Sequence, residues 1–162
     1  MPLDFMKSPN LNNFELYKME CKNKSLWKWG VVLFTQTIVF ETIVTLVYWG
    51  ALNDMIEQPS NKLYKSIRAM DHSVPLGMLA IDFAINSILF NPWHLIITII
   101  VMVLYGIVNF TATMVSGNPI YPIMTWKDIG TLYYALGILA ATILSFALFS
   151  FVSIFRHSKI NK

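Results

Sequence analysis

Apolar residues fall into four long stretches separated by short polar segments: roughly Trp27–Leu52, Ser73–Phe90, Leu95–Val115 and Ile129–Phe155. Runs of about 18 or more apolar residues are long enough to cross a bilayer as helices. The second stretch is the shortest, and Pro75 falls near its start, where a missing N–H costs a helix nothing. Asn91-Pro92-Trp93-His94 leaves room only for a tight turn, and Ser116-Gly117-Asn118-Pro119 breaks the chain again. The pattern predicts an all-α integral membrane protein with four transmembrane helices. It divides into a polar N-terminal tail with an interfacial segment (residues 1–25), a four-helix transmembrane domain (26–156) and a basic C-terminal tail (157–162).

Four crossings place both termini on one side of the membrane. Lys7, Lys18, Lys22, Lys24, Lys28, Arg156, Lys159 and Lys162 flank the termini, against Lys62, Lys65, Arg68 and Lys127 in the two opposite loops. By the positive-inside rule the termini face the cytosol or matrix. Trp27, Trp29, Tyr48 and Trp49 bracket the first span, as aromatic residues do at headgroup level.

Composition agrees with this pattern. Hydrophobic residues make up 56% of the 162 and charged residues 13%, about half the share of an ordinary soluble domain. The net charge of +3 sits at the edges of apolar runs and forms no basic stripe, which sets nucleic acid aside. Cys21 is the only cysteine, so an intramolecular disulfide and a cysteine-based zinc cluster are excluded. The first residues lack the basic and apolar regions of a secretory signal.

Polar side chains inside the spans are the candidate functional positions, because charge in lipid is expensive. Thr37, Glu41, Thr45 and Trp49 recur every fourth residue on the first helix, with Gln36 beside them. Met78, Asp82 and Asn86 share a face of the second, and Tyr105, Asn109 and Thr113 a face of the third. The expectation is that these stripes turn inward and line one polar interior, Asp82 bonding Asn86 or a neighbouring helix. Interhelical bonds of this kind contribute roughly 0.6 kcal/mol each, which is a packing role before it is a catalytic one. Gly137, Ala141 and Ser145 form a ridge of small residues suited to close helix approach.

His94 lies in a turn and His157 at a helix end, neither at metal-ligand spacing from His72. No phosphate loop, nucleophile elbow or haem motif is present. No metal or cofactor is expected, although a bound lipid such as cardiolipin is compatible with the chain.

Tyr48-Trp49, His72, Ile81-Asp82, Tyr105, Ile120-Tyr121-Pro122 and Trp126 occur in the order that marks the androgen-induced hydrolase superfamily, and more closely its Rolling stone branch. The resemblance covers roughly residues 35–155. It implies an intramembrane hydrolase of fatty acid esters of hydroxy fatty acids, with His72 as the base that activates a threonine. The family threonine belongs to an earlier helical pair that has no counterpart here. Laying Trp27-Lys28 on the family's Trp-Lys puts Val31 at the nucleophile position.

The expected function is therefore a non-catalytic accessory subunit of a large membrane assembly, in the mitochondrial inner membrane, with lipids and other subunits as partners. His72 is then a relic, and no hydroxyl is expected poised against it beside a lipid-sized cavity. Residues 1–25 are expected to contact other chains. A hydrolase using His72, and a transporter using Glu41 and Asp82, are the competing readings. Protease treatment of intact organelles checks the topology: residues 53–70 should be protected when only the side bearing the termini is exposed, and cleavage of that loop under those conditions reverses the orientation.

Overall fold

The computed structural model describes residues 24–53, 55 and 62–160. The expectations for the N-terminal tail concern residues that lie almost wholly outside this range, as does Cys21. The described residues form four α-helices: α1 (Lys24–Val47), α2 (Lys62–Ile85), α3 (Trp93–Ser116) and α4 (Ile129–Ile160). No strand occurs among the described residues. Residues up to Leu33 form one compact unit and Phe34 onward another. In the first, the described part is helical and exposes Trp27 and Trp29.

In the second unit the chain runs up and down between two ends. Thr35 and Gln36 on α1 meet His94 at the start of α3, whereas Thr45 and Trp49 meet His72 and Ser73 on α2. Phe83 near the end of α2 packs on Phe90 and Phe149, with ring centroids 5.5 and 5.3 Å apart. With Ile38, Val39 and Phe146 these rings make one core layer. Tyr48, Leu52, Ile123 and Met124 make the other.

Among the described residues three helical segments are long and apolar enough to cross a membrane: Trp27–Leu52, Trp93–Ser116 and Ile129–Ser158. The second helix is not one of them. It starts at Lys62, 11 residues before the expected Ser73, and stops at Ile85 instead of Phe90. Residues 62–72 contain no breaker, so the helix extends back through the charged segment, and Pro75 lies in its interior. Pro75 therefore does remove a helical hydrogen bond, contrary to the expectation of a first-turn position. Between Asp71 and Asp82 only ten residues are uncharged, about 15 Å of helix against a hydrocarbon core of about 30 Å.

The ends of α2 and α1 explain their lengths. The Asn86 side chain takes the Ile88 N–H at 3.1 Å and turns the chain. Arg156 donates to the carbonyls of Phe83 and Ala84 and lies over the Phe83 ring, capping the last turn with a cation. The last turn of α1 widens into a π-helix, Tyr48–Leu52, closed by the Asn53 N–H on the Tyr48 carbonyl at 2.7 Å. Gly117 ends α3 in the left-handed conformation, φ 73°, that a residue with a Cβ adopts at a cost.

Asp128 starts α4 by accepting the Thr131 N–H at 3.2 Å while the Thr125 hydroxyl donates to its other oxygen at 2.5 Å. A Cβ at Gly130 would come within 2.7 Å of that carboxylate, so glycine leaves room for the cap. The Thr125 hydroxyl first, then the Thr131 N–H, holds the Asp128 carboxyl below its usual range. A carboxyl depressed in the folded state stabilises above its unfolded range and loses that contribution as pH falls through the folded value. The protection of amides 129–131, taken relative to the intrinsic exchange rate at each pH, should therefore fall on acidification below the carboxylate range. Asp128→Ala should give the lowered protection already at neutral pH, with Asp128→Asn in between.

Candidate functional site

His72 sits where α2 crosses the end of α1. The Thr45 hydroxyl donates to its backbone carbonyl at 2.6 Å, and the Trp49 indole donates to Ser73 Oγ at 3.0 Å. The π turn carries Tyr48 over the imidazole, ring centroids 4.0 Å apart and planes 19° from parallel. The Thr45 proton is thus directed at the carbonyl. Among the described residues no hydroxyl is bonded to the His72 ring.

His72 borders open space as well as the Tyr48 ring. A chamber of about 540 Å³ opens beside it, between α1, α3, α4 and the segment joining α3 to α4. Its walls are aliphatic and aromatic, including Phe40, Met102 and Leu139. Its polar points are Tyr48, His72, Tyr105 and Tyr121, together with Trp126. Tyr105 donates its hydroxyl proton to the Tyr121 oxygen at 3.0 Å.

The polar stripes do not converge on one interior. On α1, Gln36 is buried and Glu41 half-buried, while Thr37 is exposed. On α3, Asn109 and Thr113 are buried but Tyr105 is half exposed. On α2, Met78 and Asp82 face outward and Asn86 spends its carbonyl oxygen on Ile88. The expected Asp82–Asn86 bond is not formed, because Asn86 lies past the last helical residue and its side chain turns onto its own loop. The small-residue ridge of α4 is split, Ser145 buried and Gly137 exposed.

Two features are not visible in the sequence pattern. One is the Thr35–His94 pair, with Thr35 Oγ1 3.3 Å from His94 Nδ1. Gln36 and Thr98 both donate to the His94 carbonyl, at 3.2 and 2.9 Å. Thr35 and His94 are 59 positions apart, and only the turn at Asn91-Pro92 hints that His94 is aimed back at α1. Thr35 has no exposed surface, so a substrate has no path to its hydroxyl.

The other is Trp126, whose backbone has φ 58°, unusual for a bulky residue. Its N–H bonds the Thr131 hydroxyl at 2.9 Å and its indole N–H bonds Asn109 Oδ1 at 2.7 Å. These two bonds hold the strained residue across one end of the chamber. Among the described residues no cluster of three His, Cys, Asp or Glu can hold a metal.

No protein-family model matches the chain, and no curated protein or solved structure is significantly similar to it. The likeness to the Rolling stone branch rests on the short motifs quoted above.

Replacing Asn109 by Leu removes the acceptor for the Trp126 indole and leaves a donor unpaired in an apolar surround. The loss should be roughly 1–3 kcal/mol of stability, seen as a lower melting temperature in detergent and a changed tryptophan emission. A variant with unchanged melting and emission would show that Asn109 does not anchor Trp126.

Proposed function

We propose that the protein is a non-catalytic subunit of a larger membrane assembly, crossing the bilayer four times with α2 as a short, partner-covered crossing. The observation that carries this reading is the outward-facing Asp82. Its neighbour Phe83 packs on Phe149, which lies nine residues, about 13 Å, inside the Ser158 end of the α4 span. A carboxylate at that depth costs on the order of 2.5–3.5 kcal/mol unless it is paired. Asp82 has no side-chain partner within the described residues, and the uncharged part of α2 is half a bilayer long. A donor from a second chain resolves both difficulties. The membrane in this reading is the mitochondrial inner membrane, and the termini lie on its matrix side.

The hydroxyl at His72 supports the non-catalytic half of the proposal, since Thr45 is committed to a backbone carbonyl. A second reading, a lipid-ester hydrolase, draws on the Thr35–His94 pair, which has the spacing of a nucleophile and its base. It needs the buried hydroxyl to become accessible.

Native gel electrophoresis of gently solubilised source membranes separates these. The chain should run in a complex many times its 18.6 kDa, Asp82→Leu should reduce incorporation severalfold, and Leu144→Ala on the lipid face should leave it unchanged. A freely migrating chain that cleaves a fatty acid ester, and loses the activity on Thr35→Val or His94→Ala, would replace the subunit reading with the hydrolase.

A further inference from the structure

The chamber beside His72 has the features of a binding site, and they define the chemistry of what it holds. Its volume of about 540 Å³ lies within the roughly 300–1,000 Å³ range of small-molecule sites. Among the described residues no Asp, Glu, Lys or Arg lines it. A charged headgroup would sit unpaired among apolar side chains, at a cost of several kcal/mol. The occupant's head is therefore uncharged.

Its body is hydrocarbon. Val44, Val103 and Leu136 line the chamber and are also 44%, 54% and 53% exposed, on the apolar outer surface of helices that meet the membrane. The chamber is thus continuous with the hydrocarbon of the bilayer, and a ligand reaches it sideways from lipid.

Its head carries an oxygen that accepts a hydrogen bond. Tyr121 receives the Tyr105 proton, and its own hydroxyl proton has no acceptor among the described residues. The imidazole of His72 stacks on Tyr48 and lines the same space without a hydrogen bond to its ring among the described residues. Tyr48 and Tyr121 belong to one packed cluster, so the tyrosine donor and the imidazole sit at the same end of the bundle. Donors placed at one end of an otherwise apolar chamber set the orientation of a chain with a single polar terminus.

We propose that this chamber binds, without cleaving it, a neutral single-chain lipid bearing a hydroxyl or carbonyl head, with Tyr121 donating to the head oxygen and the tail lying along α3 and α4. The site does not depend on whether the chain joins an assembly.

Gly106 supplies the discriminating variant. It lines the chamber, and a Cβ there meets nothing within 4 Å, so a large side chain can enter the space without backbone conflict. The full chain, purified into nanodiscs, is photolabelled with a long-chain diazirine alcohol, and the adducts are mapped by peptide mass spectrometry. Adducts should concentrate on residues 101–106 and 121–126, and Gly106→Phe should abolish them while leaving helicity and elution volume unchanged. Tyr121→Phe should weaken labelling about fivefold, the loss of one hydrogen bond of ordinary strength. A diazirine probe of equal length with a phosphate head should label the chamber poorly. Adducts spread over outer residues such as Leu144, equal labelling of the Gly106→Phe variant, or equal labelling by the phosphate probe would each overturn the proposal. Loss of the complex on native gels with chamber labelling intact would overturn only the subunit reading.

Discussion

A backbone carbonyl or N–H inside hydrocarbon has no water to bond, so any helix that is interrupted or ends early must find its partners within the protein. The placement of α2 follows from this constraint. Its carbonyls are taken by side chains from two other helices: Thr45 of α1 at His72, and Arg156 of α4 at Phe83 and Ala84. These bonds fix the middle and the C-terminal end of a helix that carries an internal proline and a short apolar stretch. The aromatic layer of Phe83, Phe90, Phe146 and Phe149 fills the space beneath the Arg156 cap. Because Arg156 also lies over the Phe83 ring, one residue joins the polar and the apolar fastenings.

The same economy of donors shapes the upper end of the bundle. Thr45 is engaged with a carbonyl, and Trp126 is engaged twice, through its backbone and its indole. What is left over is the Tyr121 proton and the His72 ring, both facing a space with apolar walls. A chamber of this kind suits recognition, where one or two polar contacts orient an apolar body. Nucleophilic catalysis instead needs a hydroxyl proton directed at a base. Thr35 and His94 lie 3.3 Å apart, where burial closes off access, and His72 has access, where no hydroxyl is bonded to its ring among the described residues.

The proposed subunit role rests on Asp82. Lipid-facing Leu, Ile and Phe along α3 and α4 are the ordinary surface of a membrane helix and demand nothing further. A carboxylate on the outer face of α2, level with a packed phenylalanine layer, does demand a partner. The argument for assembly therefore concerns one face of one helix.

The apolar runs by themselves determined that the chain is helical and membrane-embedded, and they placed α1, α3 and α4 to within a few residues, because hydrocarbon thickness sets a minimum length that composition reveals. They also marked Asp82 and Asn109 as polar positions inside apolar helices. Which way those residues face was decided only in the tertiary structure. A spacing of four puts residues on one stripe of a helix, yet says nothing of which neighbour the stripe meets. Met78 and Asp82 thus face outward, while Asn109 and Thr113 face inward from an equally spaced set. The start of α2 at Lys62 could not be read from apolarity, since a helix can continue through charged residues once it leaves lipid. The chamber and the Thr35–His94 pair were equally hidden, because each is assembled from residues distant in sequence that only helix packing brings together.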